Sequence, residues 1–116
     1  MTQFFTNLRL LDPQAGTLEP AAVLVRNGVI AEVLASDATT PDGAEVMDCS
    51  GHILAPGIVD IGVKVCEPGE RHKESYRSAG LAAAAGGVTT MVTRPDTDPA
   101  IDSPETLEFV TRRANE

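Results

Sequence analysis

Ala55-Pro56-Gly57-Ile58-Val59-Asp60-Ile61-Gly62-Val63-Lys64-Val65-Cys66-Glu67-Pro68-Gly69 decides how the rest of this 116-residue chain is read. A Pro-Gly turn leads into a β-branched run, and Ile58, Val59, Ile61, Val63 and Val65 favour a buried strand over Ala55–Lys64. Side chains two apart on a regular strand share a face, which sends Asp60, Gly62, Lys64 and Cys66 to one side. Histidines at positions 62 and 64 would make a two-pronged imidazole ligand set at the strand's end. Gly62 has no side chain to offer, and the Lys64 ammonium repels a divalent cation.

Beyond Gly69 the period changes. Arg71 to Ala85 reads as a helix that ends in an alanine run and is stopped by Gly86-Gly87. Val88 to Thr93 is the next strand, and Ser103-Pro104 opens a second helix with a capping serine and a proline at its first position. Strand, helix, strand, helix predicts parallel βαβ units with right-handed crossover. The loops after the strands, Lys64 to Arg71 and Arg94 to Asp102, are where such units carry chemistry. Towards the N-terminus, Phe4 to Leu10 is a first strand. Ala22 to Arg26 and Val29 to Leu34 flank Asn27-Gly28, the dipeptide that favours a two-residue type I′ hairpin. Ala35 to Gly43 is a loop, and Glu45 to Cys49 and His52 to Leu54 are short extended pieces.

Four stretches together resemble dihydroorotase, a member of the amidohydrolase superfamily. They are Ala55 to Asp60, Glu67-Pro68-Gly69-Glu70-Arg71-His72-Lys73-Glu74-Ser75, Ala82 to Thr90, and Arg94-Pro95-Asp96-Thr97-Asp98-Pro99. The likeness runs from about Leu8 through Glu108. It implies an α/β fold: the start of an amidohydrolase-type (β/α)8 barrel preceded by a small β-rich domain. Residues 1–54 would be the N-terminal part of that domain and residues 55–116 the first two βα units, since a complete barrel takes about 250 residues. In the resembled family the strand reads Asp-x-His-x-His-x-Arg, the histidines hold zinc, and the arginine and a later asparagine grip the substrate carboxylate. Here Asp60 is kept, Gly62 and Lys64 stand at the histidine positions, Cys66 at the arginine position and Asp96 at the asparagine position. Asp60, Gly62 and Lys64 are therefore degenerate metal-site positions. Cys66 and Asp96 are degenerate substrate-site positions, Asp96 repelling an anion. No catalytic residue, metal ligand or cofactor is expected in these 116 residues. The family's carboxylated lysine, further histidines and catalytic aspartate would lie further along, and the chain is expected to be part of a longer polypeptide.

The remaining candidates have plainer rivals. Lys64 either pairs with Asp60 in place of a metal's charge or extends its ammonium into water. Cys49 reads as a small core residue; Cys66 is a buried or a reactive thiol. His52 and His72 are structural or solvent-facing residues. Asp96, Asp98 and Asp102 form a solvated turn or, less simply, an oxygen cluster for a hard cation. The net charge of −8 disfavours nucleic acid and anionic membrane as partners. No apolar run spans a bilayer, and Met1 to Arg9 lacks the pattern of a secretory signal, so a cytoplasmic protein is expected. Three readings remain. One is a non-catalytic dihydroorotase-like partner of aspartate transcarbamoylase in a homo- or hetero-oligomer. Another is a zinc-dependent cyclic amidohydrolase whose ligands lie outside this chain, and the third is a piece without activity of its own.

Overall fold

β1 (Thr2–Asp12) is the strand on which the N-terminal half is built, in a computed structural model that describes every residue from Met1 to Glu116. The chain divides into two compact units, Met1–Pro56 and Gly57–Glu116. In the first, β1 is followed by β2 (Thr17–Arg26), β3 (Val29–Ala35), β4 (Glu45–Asp48) and β5 (Ile53–Leu54). The sheet order is β3-β2-β1-β4, with β5 also paired to β1. β1–β2 and β2–β3 are antiparallel, while β4 and β5 run parallel to successive halves of β1. Arg26 pairs with Val29 across Asn27-Gly28, whose φ angles of 52° and 79° are the two positive values a type I′ turn requires.

β1 changes register between Phe5 and Leu8, where Asn7 has a φ of 59°. The bulge reverses the strand's parity. Phe4 therefore packs with Ala22 and Leu24, whereas Leu8, four residues on, packs with Ala21 and Val23 in a second cluster joined by Phe5, Leu10 and Cys49. Cys49 is thus a small core residue, as expected. The bulge is pinned by Asn7 Nδ2, which donates to Asp48 Oδ1 at 3.0 Å. The Ser50 amide and hydroxyl donate to the same oxygen at 3.0 and 2.7 Å.

The second unit is β6 (Ile58–Val63), α1 (Tyr76–Ala85), β7 (Val88–Thr93) and α2 (Pro104–Ala114), with β6 and β7 parallel. Its core is Val65, Tyr76, Ala79 and Val110, with Val63, Met91, Ile101 and Phe109 against it. Two expectations need correcting. The β-branched run is not buried: Ile58, Val59 and Ile61 are 55%, 58% and 80% exposed, because β6 has a neighbour on one edge only. α1 begins at Tyr76 rather than Arg71. Ser75 is its N-cap, with Oγ accepting from Ser78 N at 3.2 Å while Ser75 N donates to Ser78 Oγ at 2.9 Å. That reciprocal pair fixes the first turn; residues 71–73 stay in a turn and Glu74 in irregular backbone. α2 follows the sequence closely: Ser103 Oγ accepts from Thr106 N, Pro104 opens the helix, and Arg112 and Arg113 lie in the last turn, where cations suit the helix dipole. No helix is long and apolar enough to cross a membrane.

Candidate functional site

Gly62 breaks the pattern on which the strand's expected face depends. The β6–β7 register shifts between Ile61 and Val63, with Ile61 opposite Val92 and Val63 opposite Thr93, so Gly62 is the extra residue of a bulge. Its φ is 156°, a conformation that side-chain-bearing residues rarely adopt, and a Cβ there would meet no atom within 4 Å. Regular alternation therefore does not carry from Asp60 to Lys64, and the strand itself ends at Val63. The Lys64–Asp60 pair is overturned. Lys64 Nζ lies 3.4 Å from Asp96 Oδ2, in the loop after the neighbouring strand.

Asp96 is the meeting point of that loop end. Arg94 grips it with both edges of the fork, Nε to Oδ1 at 3.1 Å and Nη2 to Oδ2 at 2.9 Å. Partial burial works against the charged form, but the Arg94 and Lys64 charges prevail and hold the Asp96 carboxyl below its ordinary pKa. The aspartate expected to repel an anion is thus paired with two cations. Lys64 and Asp96 border a cavity of about 120 Å3 whose lining also includes Cys66, Glu70, Thr97 and Asp98. Glu70 is itself engaged by Lys73. Cys66 is half-buried, with its thiol free.

Glu67 carries the mechanical role in this region. At 2% exposure it is the one buried charged side chain of the molecule. Its Oε1 accepts from Arg113 Nε at 2.7 Å and lies 3.5 Å from Arg71 Nε, while Oε2 accepts from the Tyr76 amide at 3.1 Å. One carboxylate thereby ties the loop after β6 to the first turn of α1 and the last turn of α2. Burial raises its pKa, but the Arg113 and Tyr76 hydrogen bonds and the Arg113 and Arg71 charges outweigh that and leave it lowered. Sequence reasoning placed Glu67 in a motif without seeing this role. The two strand-end loops also meet directly: a Cβ on Gly69, whose φ is 102°, would come within 2.1 Å of the Asp98 carbonyl oxygen.

The strand end does not fit zinc. Gly62 brings no donor, Lys64 is committed to Asp96, and no three His, Cys, Asp or Glu side chains of this chain converge as a metal-binding group. Asp60 is exposed in mid-strand. Asp98 and Asp102 stay in irregular loop backbone, as a turn requires. His52 Nδ1 sits 3.0 Å from the Ser50 carbonyl in an exposed turn, and His72 is exposed.

Comparison with known proteins identifies this arrangement. Residues 51–116 match the family model described as dihydro-orotase-like. A dihydroorotase of Streptococcus pneumoniae is 44% identical over 108 residues, covering 93% of this chain and 25% of that protein. One from Anaplasma phagocytophilum is 40% identical over 120 residues, covering 99% and 27%. Among solved structures, a D-hydantoinase superposes with a TM-score of 0.80 at 28% identity over 98% of this chain and 24% of that one. An L-hydantoinase from Arthrobacter aurescens, at 23% identity, shares the fold with a TM-score of 0.83 over 98% of this chain and 25% of that one. The chain thus spans about a quarter of the length of the curated relatives it matches, and the barrel architecture is theirs in its N-terminal part. On the strength of a match through its whole second unit, the chain belongs to the dihydroorotase-like family.

Proposed function

We propose that this chain is the N-terminal part of a dihydroorotase-like protein of pyrimidine biosynthesis that has lost cyclic-amide hydrolysis and acts in the cytoplasm as a structural partner of aspartate transcarbamoylase. The observation that carries the reading is the pairing of Lys64 with Asp96 beside a bulged, side-chain-free Gly62. Hydrolysis of an unactivated cyclic amide at neutral pH needs a metal-activated water and a polarised carbonyl. A strand end with an ammonium where a ligand belongs works against both. The substrate side is altered in step: Cys66 cannot fork a carboxylate as a guanidinium does, and the Asp96 carboxylate has no N–H to donate to one. The well-kept frame around these positions, the Glu67 tie above all, supports a scaffold retained for its shape.

Elemental analysis of the full-length protein, with dihydroorotate hydrolysis measured before and after a chelator, tests the loss of chemistry. The expected result is no stoichiometric zinc and no chelator-sensitive turnover; one or two zinc ions per chain with turnover that the chelator abolishes would restore the enzyme reading. Gel filtration of the same protein with aspartate transcarbamoylase tests the partnership. Co-elution in a complex of fixed ratio is expected, and separate elution at micromolar concentrations would end it.

A further inference from the structure

The first two turns of α2 carry a shallow apolar groove of about 340 Å3, lined by Pro68, Pro99, Glu105, Thr106 and Phe109. The loops after β6 and β7 contribute one proline each, and the Phe109 ring is half-buried against the core of the second unit. Glu105 is the one charged group of the lining. It stands in an acidic stretch with no basic residue between Asp98 and Phe109. Asp98, Asp102, Glu105 and Glu108 are all exposed there, and none of the four has an ion-pair partner. The Phe109 ring already attracts one cation from outside the groove, the Arg112 guanidinium, whose Cζ is 5.9 Å from the ring centroid. The amino end of α2 does not turn the groove towards anions, since Ser103 Oγ accepts from the Thr106 amide and Glu105 occupies the first turn.

We infer that this groove docks an arginine of a partner protein, presented on an extended segment, with its guanidinium on Glu105 and its stem along Pro68, Pro99 and Phe109. Arginine fits both halves of the surface, a methylene stem for the apolar lining and a planar fork for the carboxylate. The unpaired acids around the groove add a negative field that draws such a cation in. A second copy of this chain is the poorer occupant, because a net charge of −8 sets like charge against like. The inference goes beyond the loss of hydrolysis proposed above and does not depend on it: none of Asp60, Gly62, Lys64, Cys66 and Asp96 lines the groove.

The test is an NMR titration of the full-length protein with the blocked peptide acetyl-Pro-Arg-Pro-amide, followed at the Thr106 and Phe109 amides. Saturable shifts with a Kd of about 10 mM or tighter are expected, the range for one exposed charged contact beside a small apolar surface. Replacing the peptide's arginine by norleucine or by glutamate should weaken binding at least about fivefold, and so should Glu105→Gln. Glu108→Gln, which removes the same charge outside the groove, should change it less than about twofold. The norleucine peptide alters nothing in the protein and so decides the matter even if Glu105→Gln folds poorly. No saturable shift, as when another part of the protein covers the groove, or equal binding of the arginine and norleucine peptides would overturn the proposal. Equal losses in Glu105→Gln and Glu108→Gln would overturn it too, leaving only a diffuse acidic field.

Discussion

Glu67 shows how much a single residue decides in the second unit. Its carboxylate is the acceptor for one side-chain and one backbone donor in a buried setting, so removing it strands Arg113 and the Tyr76 amide. Glu67→Ala should destabilise the protein by about 2–3 kcal/mol, the range for losing a buried charged hydrogen bond and leaving its donors unmatched, measured by urea unfolding at neutral pH. The pH dependence has a definite sign. Because the folded-state pKa of Glu67 is lowered, the stabilisation is present in full above the unfolded glutamate value and is lost as pH falls through the folded one. The stability difference between wild type and Glu67→Gln should therefore shrink as pH is taken from 7 into the acid range below the ordinary glutamate pKa; a difference that grows on acidification would contradict this assignment. Gly62 makes the complementary case, a residue whose value lies in having no side chain. With open space around its Cβ position, Gly62→Ala should cost about 1 kcal/mol through backbone conformation alone, read from the thermal midpoint.

At the scale of elements, the loop between β6 and α1 is the part most shaped by contacts distant in sequence. A helix from Arg71 is a fair reading of the residues, but the Ser75–Ser78 reciprocal cap and the Glu67 carboxylate on the Tyr76 amide fix the start four to five residues later. Ser75→Ala should lower stability by about 1 kcal/mol and fray the first turn of α1, seen as faster amide exchange at Tyr76 and Ser78. Packing of this loop on the loop after β7 leaves no room at Gly69. Gly69→Ala combines a positive φ with a collision on the Asp98 backbone and should cost about 3 kcal/mol or more, well beyond Gly62→Ala. Equal losses in the two glycine variants would show that the loops separate more easily than their closeness indicates.

Across the whole molecule, each unit leaves apolar surface uncovered. In the second, Ile58, Val59, Ile61, Leu81, Val92 and Leu107 are all more than half exposed, and both outer edges of the β6–β7 pair lack partners. In the first, Val29, Ile30 and Val33 on the edge strand β3 are 66%, 62% and 56% exposed. Surfaces of this kind pair with other chains. The 116-residue chain on its own should self-associate, its apparent mass by light scattering rising with concentration; a monomer with one sharp unfolding transition would contradict that. Much of the architecture was legible in the sequence, because its signals are local. The Asn27-Gly28 hairpin, the Ser103-Pro104 helix start, the Gly86-Gly87 stop and the β-branched strands each express a backbone preference of the residues concerned. The family likeness was carried by equally local runs. What the tertiary structure alone decided was pairing across sequence distance. It set the two bulges that reverse strand parity at Asn7 and Gly62, and the buried Glu67–Arg113 tie over 46 residues. It also gave Lys64 its partner, choosing Asp96, 32 positions away, over Asp60 on the same strand. An ion pair goes to whichever opposite charge the backbone brings within reach, and a one-residue bulge is enough to change which one that is.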